Sequence, residues 1–282
     1  MPGTLYVVAT PIGNLEDVTL RALRILREVS VIAAEDTRRT ARILQHYSIS
    51  TRTTSLHEHN ERTKTPSLIA RLTDGESIAL VSDAGTPVVS DPGSGLVAAA
   101  HAAGIRVEPI PGPSAVVAAL SACGFDDQEF TFAGFPPSRS KARKTWLQRL
   151  SSEPRTLVFY EAPHRIRECL EDMLATFGDR QLLLARELTK KHETLVVRPI
   201  SAHLSGDLEE RGEFTLVVRG IDSSVERPIV TPSATLLAHE FGELTNTAGL
   251  GRREALKRLA ERYRIPAREV YALLERAKNS GE

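Results

Sequence analysis

The sequence predicts an α/β protein with two domains and a small helical appendage. Its 282 residues exceed the usual length of a single domain. Short apolar runs alternate with longer amphipathic stretches, a pattern typical of parallel strands joined by crossover helices. We therefore expect a mainly parallel N-terminal α/β domain over 1–134, a second, mixed α/β domain over 135–225, and a linker with a basic helical tail over 226–282.

The first domain is expected to contain four strands, each followed by a loop rich in Gly, Pro, Asp or Thr. These strands are LYVVA (5–9), VSVIAA (29–34), SIALVS (77–82) and IRVEPI (105–110). Ligands of open α/β sheets bind at the carboxyl ends of the strands. The loops that follow, TPIGN, EDTRR, DAGTP and PGPSA, are therefore predicted to face one site.

The rest of the chain has a second α/β pattern and a helical tail. We expect strands at 155–161, 181–187, 193–199 and 214–220, a helix over 163–177 and a short helix near 201–211. GFPPSRSKARK (134–144) and RPIVTPS (227–233) are interpreted as linkers. In the tail, two amphipathic patterns on either side of Pro266 predict two helices joined by a tight turn.

Composition restricts the function classes. The 36 Lys and Arg balance the 36 Asp and Glu, so binding of nucleic acid would have to come from local patches. Cys123 and Cys169 stand in apolar contexts without the spacing of a disulfide framework, which favours a reducing cytoplasm. No signal peptide and no apolar run of about 18 residues is recognised. We expect a soluble, cytoplasmic protein with no membrane partner.

The most unusual segment is SDAGTPVVSDPG (82–93). Its glycines allow close backbone approach and its polar side chains can direct a ligand, so we favour ligand contact for Asp83–Pro87 over a purely structural turn. Asp91 is expected to cap a helix that opens at Pro92. The PGPSA loop begins another helix, whose amino end favours a carboxylate or phosphate.

Two other motifs are judged misleading. Gly93, Gly95 and Ala98 match the dinucleotide fingerprint G-x-G-x-x-A, but some ten loop residues separate them from the preceding strand. His57 and His59 lack a third ligand nearby, so no metal site is expected. The sequence contains no P-loop, G-x-S-x-G or H-E-x-x-H motif.

Charged side chains follow several strands. Glu35, Asp36, Arg38 and Arg39 could act as general base or hold a phosphate, although Asp36 could equally start a helix. YEAPHR (160–165) and ARELTKKHE (185–193) also cluster acids and bases, for which salt-bridge scaffolding is the alternative.

Two basic segments are possible RNA phosphate contacts, with solvated helix faces as the alternative. No acid occurs between Glu129 and Glu153, whereas five basic residues do: Arg139, Lys141, Arg143, Lys144 and Arg149. The tail from residue 251 holds nine Lys or Arg against five Glu, including Arg252 and Arg253.

Six ordered motifs, TPIGNLEDVT, AAEDTRR, LVSDAGTPVVSDPG, PGPSA, FYEAPHR and ARELTKKHE, together resemble the ribosomal RNA small subunit methyltransferase I family, which has the tetrapyrrole methylase fold. The resemblance runs from about Leu5 to Gly220 and extends to the basic tail, which is similar to a helix-turn-helix appendage. It implies S-adenosylmethionine-dependent methylation of the ribose 2′-oxygen of a cytidine in the decoding region of 16S rRNA. We expect 16S rRNA in the 30S subunit as partner and a homodimer, while the sequence leaves open the oligomeric state and whether free rRNA or the assembled subunit is the substrate.

The resemblance also implies site residues. The cofactor would bind between the two domains, against residues from the DAGTPVV loop, the PGPSA loop and the second domain: Asp83, Gly85, Thr86, Val89, Ser114, Ala115, Tyr160, Leu188, Phe214 and Thr215. Candidates for orienting or deprotonating the hydroxyl are Glu35, Asp36, Arg38, Glu161, Glu187 and Lys190. We predict that the turn from Glu35 to Arg38 activates the hydroxyl, because it is the strand-end loop of the first domain that carries both a carboxylate and a guanidinium. The expected RNA-binding residues are Arg139, Lys141, Arg143, Lys144, Arg252 and Arg253.

Two alternatives remain open from the sequence. One is a methylase of the same fold acting on a small tetrapyrrole, which is disfavoured by Thr86 where those enzymes usually have Asp and by a first loop, Pro11–Asn14, that is not glycine-rich. The other is a noncatalytic RNA-binding ribosome assembly factor.

Overall fold

The computed structural model describes residues 1–125, 129–221, 234–247, 250–263 and 265–279. The chain divides into two compact units, Met1–Ile221 and Asp222–Glu282. The larger unit contains two five-stranded sheets, and the smaller is helical. The expected linker at 227–233 lies outside the described residues.

The first sheet is entirely parallel, in the order β3-β2-β4-β1-β5. β2 and β4 are buried along their whole length, which is why they appear in the sequence as continuous apolar runs rather than alternating patterns. The strands are β1 (Thr4–Val8), β2 (Val31–Ala34), β3 (Thr53–Ser55), β4 (Ile78–Val81) and β5 (Arg106–Ile110). The mainly parallel sheet is confirmed, and only the short edge strand β3 was not expected.

Helices cover both faces of this sheet. Thr19 and Asp36 cap the first two of them, each side chain accepting a backbone N–H of the first turn. The helices are α1 (Leu20–Glu28), α2 (Thr37–His46), α3 (Glu61–Thr73), α4 (Ser94–Ala102) and α5 (Ala115–Ala122). Separate apolar clusters fill the two faces. α5 differs because its Val116 and Ala119 pack with Val158 and Val217 of the second sheet.

The second sheet is mixed, in the order β6-β7-β10-β8-β9. Only β6 and β7 pair in parallel. The strands are β6 (Phe130–Gly134), β7 (Thr156–Glu161), β8 (Gln181–Arg186), β9 (Thr194–Pro199) and β10 (Phe214–Val218). The helices are α6 (Ser140–Leu150), α7 (Ile166–Phe177) and α8 (Ile200–Ser205), with a 3-10 turn at Pro163–Arg165 before α7. The mixed sheet is confirmed.

The segment 134–144 is not a linker throughout. Gly134 ends β6, an unexpected edge strand, and α6 begins at Ser140, so only residues 135–139 connect them. The predicted short helix near 201–211 is also shorter, ending at Ser205.

The smaller unit is built from α9 (Ala234–Gly242), a π-helical turn (Glu243–Thr247), α10 (Arg252–Tyr263) and α11 (Ala267–Asn279). α10 and α11 are the two expected helices, and α11 begins directly after Pro266. The earlier α9 was not expected. Among the described residues, its apolar cluster contains the buried side chains of Leu237, Leu259, Ile265, Val270 and Leu274.

Candidate functional site

A cavity of about 410 Å³ lies at the carboxyl edge of the first sheet and is closed by residues of the second. A volume of this size is typical of small-molecule sites. The loops after β1, β2, β4 and β5 all contribute, as the sequence predicted. Its walls are formed by Ile12, Glu35, Arg39, Asp83–Thr86, Val89–Asp91, Ser114, Ala115, Phe135, Tyr160–Pro163, Leu188 and Glu213–Thr215.

Backbone hydrogen bonds tie three of these loops together. Thr10 and Gly85 exchange N–H···O bonds of 2.8 and 3.0 Å. The Thr10 hydroxyl donates to the Ser82 carbonyl at 3.2 Å, and the Thr86 hydroxyl donates to the Pro113 carbonyl at 3.3 Å. These bonds hold the loops after β1, β4 and β5 in one arrangement.

The loop after β4 also carries backbone strain. Val88 and Ser90 have φ values of 74° and 65°, in the left-handed region that side chains with a Cβ avoid. Gly85, with φ of 80°, adopts a similar conformation without cost. Strain of this kind is concentrated at functional sites, where the surrounding structure enforces it.

The acidic side chains that follow β2 and β4 each accept a hydrogen bond from a backbone N–H of the other loop. The Asp83 N–H donates to Glu35 at 3.2 Å, and the Asp36 N–H donates to Asp83 at 2.9 Å. Arg39 lies 3.2 Å from the Asp83 carboxylate. Burial raises the pKa of Glu35, and the Asp83 N–H only partly offsets this. Glu35 and Asp83 thus connect the ends of two neighbouring strands, and the Glu35 carboxyl lies on the cavity wall.

An aromatic group forms the opposite wall. Tyr160 contacts Phe132 and Phe135, with ring centroids 5.0 and 5.4 Å away. Burial raises the pKa of Tyr160 to about 12, with a smaller contribution from the charge of Asp91. The backbone of Val116 in α5 opposes this rise, and Tyr160 packs against the apolar cluster that contains Val116. Tyr160 thus joins the second sheet to the PGPSA loop, while Phe135 is 54% exposed.

All ten residues expected to bind the cofactor lie on this cavity. Of the candidates for activating a hydroxyl, Glu35 and Glu161 also lie there. Glu161 is buried and accepts bonds from the Ala162 N–H at 2.7 Å and from Arg165. Glu161 therefore forms a salt bridge, as the alternative interpretation of YEAPHR expected, and it also lies on the cavity wall.

Asp36, Arg38 and Lys190 are not among the lining residues. Asp36 is the N-cap of α2, and hydrogen bonds from the Arg38 side chain and N–H hold its pKa well below the usual range. Arg38 is 89% exposed. Burial lowers the pKa of Lys190, but its hydrogen bonds to Glu187 and Glu213 outweigh this and raise it. A lysine held as a cation is not a proton acceptor, so Lys190 is unsuited to deprotonate a hydroxyl. The catalytic roles expected of Asp36, Arg38 and Lys190 otherwise stay predictions.

Asp91 is placed differently from the expectation. α4 begins at Ser94, and its N-cap is Gly93, with φ of 116°. A Cβ at Gly93 would lie 2.6 Å from Leu80 Cδ2, which explains the glycine. Asp91 therefore caps no helix and instead lies on the cavity wall. The sequence signal was present, since Asp91 lies within the unusual segment 82–93, but Pro92 directly after it favoured a helix start.

The dinucleotide-like motif does not directly follow a strand. The G-x-G-x-x-A glycines lie at the start of α4, well after the end of β4 along the chain. Among the described residues, no group of three or more His, Cys, Asp or Glu could hold a metal ion. In that same part of the chain, no helix has the length and apolar character needed to cross a membrane.

The basic residues of α6 divide into two groups. Arg139, Lys141 and Lys144 are exposed, and Lys144 lies 3.3 Å from Asp172. Arg143 is fully buried and donates to Asp172 at 2.7 Å and to the Ser138 carbonyl at 3.2 Å. The prediction that Arg143 contacts RNA phosphate is wrong, because its guanidinium is enclosed between α6 and α7.

In the helical tail, Arg253 is exposed, whereas Arg252 lies 3.9 Å from Glu275 and 5.9 Å from the Phe241 ring centre. Arg264 lies outside the described residues, and so do the side chains of Arg262 and Lys278.

Comparisons with known proteins agree with this architecture. Residues 4–203 match the family model of tetrapyrrole (corrin/porphyrin) methylases. The chain is 53% identical over 224 residues to the ribosomal RNA small subunit methyltransferase I of Xylella fastidiosa strain Temecula1, covering 78% of this chain and 82% of the relative. It is 44% identical over 271 residues to the protein of the same name in Halalkalibacterium halodurans, covering 95% and 93%.

A solved structure shares the fold. Uroporphyrin-III C-methyltransferase from Thermus thermophilus, complexed with S-adenosyl homocysteine, superimposes with a TM-score of 0.57 at 18% identity, covering 77% of this chain and 97% of that one. Taken with the cavity and the ordered loops around it, these similarities show that the chain belongs to the tetrapyrrole methylase family and, within it, to the ribosomal RNA small subunit methyltransferase I family.

Proposed function

We propose that this protein transfers the methyl group of S-adenosylmethionine to the ribose 2′-oxygen of a cytidine in the decoding region of 16S rRNA, within the 30S subunit. The relatives at 44–53% identity are named small-subunit rRNA methyltransferases, and they support the coarser part, S-adenosylmethionine-dependent methylation of rRNA. The observation that carries the proposal is the single cavity on which all ten expected cofactor residues meet.

The cavity suits S-adenosylmethionine, a nucleoside joined to a charged amino acid. Ile12, Leu188 and Phe214 offer apolar surface. Ser114 caps α5 without a side-chain hydrogen bond, and the amino end of a helix favours a carboxylate. Thr86 lies on the same wall. These residues would hold the cofactor, which supplies an electrophilic methyl group on a positively charged sulfur.

The protein has two tasks in such a reaction. It must place a hydroxyl in line with the methyl group, and it must accept the hydroxyl proton. The mutually bonded loops after β1, β4 and β5 provide the first through rigid positioning. The carboxyl groups on the wall provide candidates for the second.

The surroundings of the cavity fit a nucleic acid substrate. Phe135, on the cavity wall and half exposed, can stack on an unpaired base. Residues 135–139 lead from it to the exposed cations Arg139, Lys141 and Lys144, which do not line the cavity and can hold phosphates. A polynucleotide is long enough to reach these cations from the cavity, whereas a tetrapyrrole is compact. The position of the cations outside the cavity therefore supports RNA, rather than a tetrapyrrole, as the substrate.

The decisive experiment methylates 30S subunits from cells that lack this protein. After incubation with purified protein and S-adenosylmethionine, nuclease digestion and mass spectrometry should detect 2′-O-methylcytidine, and primer extension should locate it in the decoding region. Methylation on a base would contradict ribose specificity. Methylation of uroporphyrinogen but not of RNA would establish the tetrapyrrole alternative, and RNA binding without methyl transfer would establish the assembly factor.

The role of the cations has its own test. Replacing Arg139, Lys141 and Lys144 by Ala should weaken binding to the subunit and reduce the slope of log affinity against log salt by roughly 0.7–0.9 for each phosphate that is no longer neutralised. S-adenosylmethionine affinity should not change. Arg24→Ala, an exposed cation on α1, is the matched control. An unaltered salt slope in the triple variant would assign the RNA contact to other residues, with Arg252 and Arg253 tested next.

We also propose a homodimer in the bacterial cytoplasm, where the ribosomal subunit is found. Light scattering at micromolar concentration should give twice the chain mass of 30.9 kDa.

A further inference from the structure

Asp91 is the residue from which a further inference follows. It lies half-buried on the cavity wall, after two residues of the same loop with positive φ angles, Val88 and Ser90. It neither starts a helix nor ends a strand. Its position is therefore not explained by a role in forming secondary structure.

Each of the other acids on the cavity wall has at least one oxygen bonded to a backbone N–H group or a cation, and Oε2 of Glu161 is buried without a partner. Glu35 accepts the Asp83 N–H, and Asp83 pairs with Arg39. Glu161 is held by Arg165, and Glu213 lies 3.0 Å from Lys190 Nζ. Among the described residues, no cation or backbone N–H is bonded to Asp91 in this way; the Ser82 hydroxyl beside it lowers its pKa and donates to the Ala84 carbonyl at 3.4 Å.

The groups around Asp91 make its proton affinity unusual. Burial raises its pKa to about 6, the Ser82 hydrogen bond opposes this, and the charges of Glu35 and Asp83 raise it further. The charge of Asp91 also raises the pKa of Tyr160, which lies on the second sheet. Arg39, Glu161 and Glu213 complete the charged lining. A carboxyl that titrates close to neutral pH is suited to accept a proton during turnover.

We propose that Asp91 is the general base that removes the proton from the ribose 2′-hydroxyl. This inference rests on the proposed function. As the hydroxyl oxygen bonds to the methyl carbon, the carbon–sulfur bond breaks with its electrons remaining on sulfur, giving S-adenosylhomocysteine. The hydroxyl proton passes to the Asp91 carboxylate and is then released to water.

The test compares wild type with Asp91→Asn on 30S subunits at saturating S-adenosylmethionine. The single-turnover rate should fall by roughly 10²–10⁴-fold, while calorimetry should give an S-adenosylhomocysteine Kd within about twofold of wild type. Wild type should lose activity as pH falls through about 6. Asp74→Asn, an exposed acid after α3, is the matched control and should retain wild-type rates.

Two measurements without turnover address Asp91 directly. Carbon-13 labelling of aspartate carboxyl groups should reveal a resonance that titrates near pH 6 and is absent in Asp91→Asn. A native pKa above the unfolded value means that ionised Asp91 costs stability above pH 6 and that this cost disappears towards pH 4. Asp91→Asn should therefore raise Tm more at pH 8 than at pH 5.

The outcomes separate the inference from the proposed function. If wild type forms no 2′-O-methylcytidine, the proposed function fails and this inference fails with it. If wild type does form it and folded Asp91→Asn retains a rate within threefold, only the inference fails. A wild-type rate that does not change between pH 5 and pH 8, or an Asp91 carboxyl that titrates near 4, also overturns it.

Discussion

Replacing Arg143 by Ala tests whether this residue stabilises the fold or contacts RNA. Its side chain is fully buried, and its Nε donates to Asp172 Oδ2 at 2.7 Å. Removing one partner of a buried ion pair leaves the other charge uncompensated, at a cost of about 3–5 kcal/mol. Asp172 would still have the Ser140 hydroxyl at 3.1 Å and Lys144 at 3.3 Å. We therefore expect the lower end, about 3 kcal/mol.

A loss of this size is easily measured. In a compact unit of residues 1–221, about 3 kcal/mol corresponds to a Tm lower by roughly 6–12 °C, detectable by calorimetry or circular dichroism. RNA affinity, measured well below the Tm, should remain within about twofold of wild type. Arg139→Ala, on an exposed side chain near the same helix start, should do the reverse: little change in Tm and weaker RNA binding.

A double variant checks the mechanism of the stability loss. Arg143→Met combined with Asp172→Leu removes both charges and fills the space, so most of the lost Tm should return. If Arg143→Ala melts within about 2 °C of wild type yet binds RNA more weakly, the guanidinium must reach solvent and our interpretation of its burial is refuted.

Three further predictions concern the cavity. Ala115→Trp should abolish S-adenosylhomocysteine binding in a folded protein, because an indole would occupy the space beside the α5 start; calorimetric affinity close to wild type would remove Ala115 from the site. Glu35→Gln should shift the acid limb of the pH–rate profile to lower pH, since burial is the main cause of the high pKa of Asp91 but the Glu35 charge adds to it; an unmoved limb would mean that the two carboxyls are not coupled. Phe135→Ala should raise the KM for 30S subunits several-fold with little change in kcat, as expected if the ring stacks on a base; a change confined to S-adenosylmethionine affinity would assign Phe135 to the cofactor instead.

The residue pattern was sufficient to predict the parallel first sheet, most strands of the second sheet and the meeting of the first-sheet loops at one site, whereas the cavity residues of the second sheet came from the family resemblance. Buried parallel strands such as β2 and β4 require continuous apolar runs, and these runs are visible without a structure. The loops that follow them must lie at one edge of the sheet because the strands are parallel. For this reason Asp83, Thr86 and Ser114 could be assigned to one site from residue order alone.

The role of each charged residue depends on contacts that exist only in the folded protein. Asp91 and Asp36 both precede helices in the sequence, yet only Asp36 caps its helix, α2. Asp91 lies on the cavity wall, because α4 begins later, at Ser94, with Gly93 as its N-cap. Gly93 has a positive φ and lies close to Leu80, so a side chain there would be strained. Arg143 and Lys144 are neighbours in one basic segment, but the packing of α6 on α7 buries the first and exposes the second. Burial and charge partners come from contacts distant in sequence, and these contacts, rather than residue type, set the proton affinity and accessibility on which function depends.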